Sequence, residues 1–217
     1  MTMKTVLLTG FEPFNGASIN PAWEAVRALA SWDGAGFRVV TRQLPCVFGL
    51  STRLLLDAIE ECKPDIVIAV GQAGGRPDVT VERIAINVDD APIPDNDGWQ
   101  PLDATIVATG PAAYFATLPV KAMVQAIRAR SVPASVSQTA GTFVCNHVFY
   151  GLMHFTHELP LRAGFIHVPF LPEQVLDKPG VAGMALDQII DGLRAAVEAA
   201  VTEDGGGETA RSGGATH

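Results

Sequence analysis

The sequence of 217 residues has few cysteines, no cluster of basic residues and no long apolar run. Its three cysteines, Cys46, Cys62 and Cys145, are widely separated and form neither a CxxC pair nor a zinc-finger spacing. We therefore expect neither a disulfide framework nor a structural zinc site. Because the formal net charge is −8 and no Lys/Arg-rich patch occurs, a nucleic-acid partner or an anionic membrane surface is not expected.

Membrane and secretion signals are also missing. No window approaches the roughly 18 consecutive apolar residues that a membrane helix needs. The first residues, MTMKTVLLTGFEPF, hold an apolar run of three residues, too short for a signal peptide. The 48% hydrophobic content supports a well-buried globular domain. We therefore expect a reduced, soluble, cytoplasmic protein.

Short apolar runs alternate with helix-like segments along the chain. Asn20 and Pro21 are a typical N-cap and first-turn proline, and PAWEAVRALASW follows them with helical spacing. Such alternation favours an α/β fold, a mostly parallel sheet covered by helices on both faces. The predicted strands are 5–9, 37–44, 65–70, 80–88, 134–138 and 164–168, and the predicted helices are 21–32, 50–62, 120–130, 146–157 and 181–201.

One domain is expected over residues 1–202. The remaining segment, 203–217, is rich in glycine and has no apolar periodicity, so it is predicted to be a disordered tail.

The stretch GTFVCNHVFYG places Cys145 and His147 two residues apart. If a helix begins near Cys145, positions i and i+2 are about 200° apart around its axis, so His147 is a poor base for the thiol. The helix start favours a thiolate and can hold an oxyanion. The alternative is that Cys145 is simply a packed core cysteine.

Other residues offer the missing base and acid. His167, in GFIHVPF, lies near the end of a predicted buried strand, where reactive groups of open α/β sheets gather. Its alternative is a core histidine bonded to backbone. Glu82, in TVERIAINV, is a carboxylate within a strand-like segment and is a candidate to orient the imidazole. Its alternative is an exposed position on an edge strand, paired with Arg83 or left in water.

Two further features carry weaker signals. His154 and His157 lie three residues apart on a predicted helix, and without a matching carboxylate motif a structural or solvated role is favoured over a metal site. The loop VGQAGGRPD lacks both the GxGxxG spacing and the GK[ST] of a phosphate loop, so nucleotide binding is poorly supported.

Four stretches together resemble the pyroglutamyl peptidase I family: LLTGFEPFNGASINPAWEAV, VGQAGGRPDVTVERIAINVDDAPIPDNDG, GTFVCNHVFYGLMH and GFIHVPFLPEQ. They occur in family order from Leu7 to Gln174. The resemblance implies a thiol exopeptidase that removes N-terminal pyroglutamate from peptides through a thioester. It places the nucleophile on Cys145, the histidine on His167 and the acidic partner on Glu82.

The same resemblance implies a three-layer α/β/α domain with a mostly parallel mixed sheet, phosphorylase/hydrolase-like, assembled into homotetramers. No metal and no organic cofactor is implied. The expected substrate-binding residues are Phe11, Phe14, Gln72 and Phe143, and core packing is the alternative for each phenylalanine. Pro92 stands where many relatives carry an arginine near the active site, a departure that bears on catalytic efficiency.

Two other functions are compatible with the sequence. A nucleoside-phosphorylase-like glycosyl transferase would share the architecture but would need a phosphate site rich in Arg and Ser. A catalytically inactive protein that retains the pocket would bind a pyroglutamyl compound and release nothing.

Overall fold

A computed structural model describes residues 3–203 and 213–214 of the chain. Strands and helices alternate along it, and one 3-10 turn covers Pro172–Gln174. The strands are β1 (Lys4–Phe11), β2 (Asp33–Gly34), β3 (Phe37–Leu44), β4 (Ile66–Gln72), β5 (Val79–Glu82), β6 (Ile84–Ile86), β7 (Ala113–Phe115), β8 (Ala134–Ser137) and β9 (Arg162–Val168). The helices are α1 (Pro21–Ala28), α2 (Leu50–Cys62), α3 (Val120–Ala129), α4 (Val144–Thr156) and α5 (Leu186–Thr202).

Seven of these strands form the main sheet, in the order β2-β3-β1-β4-β9-β5-β8. The four strands β3, β1, β4 and β9 are parallel to one another. Strand β5 runs antiparallel to β9 and parallel to β8, and the short β2 runs antiparallel to β3. The α/β fold with a mostly parallel, mixed sheet is thus confirmed.

Both faces of the sheet are covered, which explains why Val6, Leu7 and Leu8 of β1 are consecutive apolar residues. Val6 and Leu8 pack in a cluster with side chains of α1, α3 and α5. Leu7, which points to the opposite face, packs in a second cluster with side chains of α2 and α4. The protein therefore has the three α/β/α layers expected of a parallel sheet with helical connections.

Local signals fix several element boundaries. The Asn20 side chain accepts a hydrogen bond from the Ala22 N–H at 3.0 Å, and Pro21 is the first residue of α1. Helix α2 starts after Gly49, whose φ is 69°, and ends before Lys63, whose φ is 45°. The predicted spans 37–44 and 50–62 agree with the structure at both ends.

The predicted strand over residues 80–88 is wrong. The chain instead leaves the main sheet after β5 and forms β6, which pairs antiparallel with β7 in a separate two-stranded sheet. The physical reason lies in the neighbouring strand: β5 pairs with β9 only as far as Phe165, and the next polar groups of β9 are taken by Thr117. The Thr117 N–H donates to the Ala163 carbonyl at 3.0 Å. Beyond Glu82, β5 therefore finds this backbone carbonyl of β9 already bonded and cannot extend its pairing with β9.

The last helix also begins later than the predicted residue 181. Gly183 forms a bridge with Phe170, and the Met184 N–H donates to the Phe170 carbonyl at 2.8 Å, so this segment is held by the loop after β9 before α5 begins. The division into a domain over 1–202 and a tail over 203–217 stays a prediction, because 204–212 and 215–217 lie outside the described residues. In the described part of the chain, no helix combines the length and apolarity needed to cross a bilayer.

Candidate active site

The ends of β4 and β9 bring a glycine and a histidine side by side beneath the start of α4. In their parallel ladder Gly71 pairs with His167, so both residues face the same side of the sheet. A Cβ added to Gly71 would lie 2.8 Å from Cys145 Sγ. The thiol therefore occupies the space above Gly71, next to the position from which the imidazole rises.

Glu82 holds the imidazole from the other side. On β5 it lies two residues beyond Thr80, which pairs with His167, so Glu82 and His167 share one face of the sheet. His167 Nδ1 donates to Glu82 Oε1 at 2.7 Å, and the two residues are 3% and 0% exposed. Because Nδ1 carries the donated proton, Nε2 is left as the basic nitrogen.

The alternative interpretation of Glu82 as an exposed edge residue, paired with Arg83 or left in water, is wrong. Strand β5 lies between β9 and β8, and the Glu82 carboxylate is fully buried. Its cationic partner is Arg76, whose guanidinium donates to Glu82 Oε1 at 2.6 Å. The same guanidinium donates to Thr80 Oγ1 at 2.6 Å and to the Thr139 carbonyl at 2.8 Å.

Sequence reasoning missed Arg76. Its signal is a basic residue that follows the glycines of this loop, three positions before the strand that carries Glu82. Arg76 lies where it can hold that carboxylate ionised in a buried site.

The protonation states follow from these neighbours. Burial, the largest single influence, raises the pKa of the Glu82 carboxyl, but hydrogen bonds and charges from His167, Ser137 and Arg76 together hold that pKa below its ordinary value. Burial raises the pKa of the Cys145 thiol, and Cys46 and Glu82 raise it further against the opposing effect of Arg76. Glu82 is therefore an anion at neutral pH, whereas Cys145 rests as a neutral thiol that needs a base.

The start of α4 supplies donors close to that thiol. Cys145 is the second residue of the helix, after the N-cap Phe143. Within the described chain no side chain caps this end, and the first N–H groups of a helix have no intrahelical partner. These amides and the positive end of the helix can stabilise a negative oxygen that forms beside Cys145.

Aromatic side chains surround the same helix start. The Phe143 ring lies 6.1 Å from that of Phe14 and 5.4 Å from that of Phe48. Phe48 also packs against Trp99, with ring centroids 5.4 Å apart. Phe48 was not identified from the sequence, since a phenylalanine in a loop between a strand and a helix carries no distinguishing pattern. Phe14 and Phe143 thus belong to one aromatic cluster beside the thiol.

The other two expected pocket residues occupy different places. Phe11 is 2% exposed and packs on Phe165, whose ring lies 4.8 Å from that of His167, so it supports the site from within the core. This position agrees with core packing. Gln72 ends β4, one residue beyond Gly71, and its Oε1 accepts from Gln174 Nε2 at 3.0 Å.

His147 is engaged away from the thiol, as its spacing from Cys145 predicts. Its Nδ1 donates to Asp89 Oδ2 at 2.7 Å, and its Nε2 accepts from the Gly49 N–H at 3.0 Å. With both nitrogens occupied, His147 links the start of α2 to the segment after β6. Its role in the structure is to hold these elements together.

His154 and His157 form an aromatic group with Tyr114. Its hydroxyl lies 2.8 Å from His154 Nδ1, and the rings of His154 and His157 are stacked 5.6 Å apart. Among residues 3–203 and 213–214, no three His, Cys, Asp or Glu side chains are grouped so as to hold a metal ion.

Pro92 is exposed and lies in a loop attached to the start of α4. The Asp90 N–H donates to the Thr142 carbonyl at 3.0 Å, and Thr142 Oγ1 donates to the Asp90 carbonyl at 2.7 Å. The loop that carries Pro92 is therefore tied to Thr142, two residues before α4 begins at Val144.

Comparisons with known proteins agree on one family. A family model described as pyroglutamyl peptidase matches residues 4–203. Pyrrolidone-carboxylate peptidase 1 of Photorhabdus laumondii is 56% identical over 222 residues, which cover 99% of this chain and 100% of the relative. The protein of that name from Ralstonia nicotianae is 61% identical over 198 residues, or 90% and 92%. Pyroglutamyl peptidase I from Bacillus amyloliquefaciens superposes with a TM-score of 0.91 at 47% identity, covering 94% and 97% of the two chains. The Thermococcus litoralis pyrrolidone carboxyl peptidase gives 0.89 at 42% identity, covering 92% and 94%.

Proposed function

The chain belongs to the pyroglutamyl peptidase family and is an enzyme of the pyroglutamyl-peptidase I class, and on that premise we propose that it cleaves N-terminal pyroglutamate from peptides through a thioester formed on Cys145. The observation that carries this mechanism is the placement of Cys145 Sγ over Gly71, next to His167 on the same sheet face. The Nδ1 of that histidine is held by the buried Glu82 at 2.7 Å.

The acylation step starts with the proton on the Cys145 thiol and with His167 Nε2 unprotonated. His167 Nε2 takes the proton of the Cys145 thiol as Sγ attacks the carbonyl carbon of the pyroglutamyl residue. The carbonyl oxygen becomes an oxyanion, which the amides at the start of α4 stabilise. Glu82 remains ionised and stabilises the imidazolium.

The intermediate then collapses to products. His167 gives its proton to the nitrogen of the leaving amine, the carbon–nitrogen bond breaks, and a thioester remains on Cys145. His167 next takes a proton from a water molecule, which attacks the thioester carbon. The carbon–sulfur bond then breaks, free pyroglutamate leaves, and His167 returns the proton to the Cys145 thiolate.

The aromatic cluster suits the proposed substrate. Pyroglutamate is a flat, uncharged lactam, so it needs apolar walls and a few polar contacts. The aromatic cluster of Phe14, Phe48 and Phe143 supplies such walls next to the nucleophile. An aminopeptidase would need a carboxylate to bind the free α-ammonium group of its substrate. Pyroglutamate has no free ammonium group, so no such carboxylate is needed.

A phosphorylase activity is less well supported. Arg76, the guanidinium beside Glu82, is engaged with Glu82, Thr80 and the Thr139 carbonyl and is not available to a phosphate ion. The family assignment also favours the peptidase. An inactive binding protein differs from the proposed enzyme by turnover alone, so the assay below separates the two.

We also propose a cytoplasmic location and a homotetrameric assembly. The location is supported by three free thiols at Cys46, Cys62 and Cys145, which are typical of a reducing compartment. The tetramer is implied by the family resemblance, and sedimentation of the purified protein measures it.

The test of the mechanism is release of a chromogenic amine from a pyroglutamyl anilide. We expect the wild type to release the amine. In both Cys145→Ser and His167→Ala the turnover rate should fall by at least about a thousandfold, as for other paired nucleophiles and bases. Unimpaired turnover by Cys145→Ser would contradict the nucleophile assignment. Phosphate-dependent cleavage of a nucleoside would support the phosphorylase instead.

A further inference from the structure

A cavity of about 600 Å³ reaches Gln72, the residue that follows Gly71. It is formed by the segments that follow three adjacent parallel strands: 14–19 after β1, Gln72 and Gly74 at the end of β4, and the chain from Phe170 to Lys178 after β9. Among the described residues, its lining contains neither Cys145 nor His167. The cavity is lined by Phe14 of the aromatic cluster but by neither Phe48 nor Phe143.

The position of the cavity relative to the reacting atoms indicates which part of the substrate it faces. The aromatic cluster lies at the start of α4, on the side where the pyroglutamyl ring would be held. The cavity begins at Gln72, one residue beyond the paired Gly71 and His167, and continues along the segment that follows β9. A leaving amine that is protonated by His167 would lie at its entrance.

We infer that this cavity binds the part of the peptide that follows pyroglutamate, and that Gln72 donates a hydrogen bond to a peptide carbonyl there. This inference rests on the proposed function. The ligand is a peptide with at least one further peptide bond beyond the scissile one, as opposed to a simple pyroglutamyl amide.

A chain of hydrogen bonds fixes the orientation of the Gln72 amide. The Leu171 N–H donates to Gln174 Oε1 at 2.9 Å, which identifies that atom as the acceptor. Gln174 Nε2 then donates to Gln72 Oε1 at 3.0 Å. The Nε2 of Gln72 consequently remains as the donor, and it has no hydrogen-bond partner among residues 3–203 and 213–214. Gln174 is thus a positioning residue for Gln72.

A nearly isosteric substitution tests this arrangement. In Gln174→Glu the carboxylate still accepts from the Leu171 N–H but has no N–H to offer Gln72. The Gln72 amide must then turn its Nε2 towards the carboxylate. This turn points Gln72 Oε1 at the peptide carbonyl, so the hydrogen bond to the peptide is lost. We expect the ratio of kcat/KM for a pyroglutamyl tripeptide to that for a pyroglutamyl anilide to fall about three- to tenfold, the effect of one hydrogen bond.

The control adds the same charge elsewhere. Gln188→Glu, at an exposed position on α5, should leave the ratio unchanged. If Gln174→Glu leaves the ratio unchanged, or reduces both substrates equally, the inference is overturned, because the amide would then serve the lactam or nothing. If the wild type cleaves neither substrate, the proposed function fails first and the inference falls with it.

A second pair of variants tests the cavity itself. Ala17 lines the cavity and is exposed, so Ala17→Phe should fill part of it and raise KM for the tripeptide relative to the anilide. Ala129→Phe makes the same change in a separate groove between α3 and α5 and should leave that relation as in the wild type. An unchanged KM ratio in Ala17→Phe would place the peptide elsewhere.

Discussion

Substitution of Arg76 by Met removes the cation beside the buried Glu82 carboxylate while keeping much of the side-chain volume. Four hydrogen bonds are lost, to Glu82, Thr80, Ser137 and the Thr139 carbonyl. Removing one partner of a buried ion pair typically costs about 3–5 kcal/mol. Because Glu82 keeps the bond from His167 and the Arg76 side chain is 28% exposed, we expect a loss near the lower limit, about 3 kcal/mol.

The variant should also change the pH dependence. The pKa of Glu82 is held below its ordinary value, so its stabilising contribution is present at neutral pH, above the unfolded-state pKa of about 4.3. It is lost as the pH falls through the lower folded-state pKa. Without Arg76 the folded-state pKa rises, so the acid limbs of both stability and kcat/KM should move to higher pH.

Urea unfolding and anilide turnover, each measured from acidic to neutral pH, test both effects. Arg130→Met is the matched control, because Arg130 pairs with Glu198 at 3.0 Å while the side chains are 49% and 45% exposed. Such an exposed pair contributes about 0–1 kcal/mol. If Arg76→Met is no less stable than Arg130→Met and its acid limb does not move, Arg76 does not hold Glu82 ionised.

Two further substitutions separate the site from its surroundings. In Gly71→Ala the new Cβ would lie 2.8 Å from Cys145 Sγ, so the thiol must move, and we expect kcat to fall by about 100-fold, whereas Gly192→Ala, with its nearest atom at 3.4 Å, should keep full turnover. Equal turnover in the two variants would show that the thiol does not depend on this space. His147→Ala should lower the free energy of unfolding by about 1–3 kcal/mol, because the buried Asp89 loses its donor. Its kcat in the anilide assay should remain, and abolished turnover would instead show that His147 acts in catalysis.

Much of the fold follows from local sequence signals. The strand at 37–44 and the helix at 50–62 were predicted with their observed boundaries, because apolar spacing and flanking residues define them locally. The continuous strand over 80–88 was wrong for a non-local reason. Whether β5 continues depends on what occupies the adjacent edge of β9. That edge is occupied by Thr117, which is distant in sequence, so the residues around Glu82 cannot predict the end of the strand.

The site was less accessible to local reasoning. Spacing alone argued correctly that His147 does not face Cys145, and the structure shows both of its nitrogens engaged elsewhere. The grouping of Cys145 with His167 and Glu82 came from the family resemblance. It depends on two strand registers, one between β4 and β9 and one between β5 and β9, which no periodicity predicts.

The wide separation of these residues along the chain has a consequence for folding. His167 and Glu82 are 85 positions apart in the sequence. The Cys145 thiol lies over Gly71, and its helix, α4, comes between Glu82 and His167 along the chain. Contacts of such long range form slowly, because loop closure must precede them. No short fragment of the chain can assemble the site, so catalytic competence should appear only with the completed central sheet. Recovery of peptidase activity is therefore expected to report the assembly of these long-range contacts during refolding.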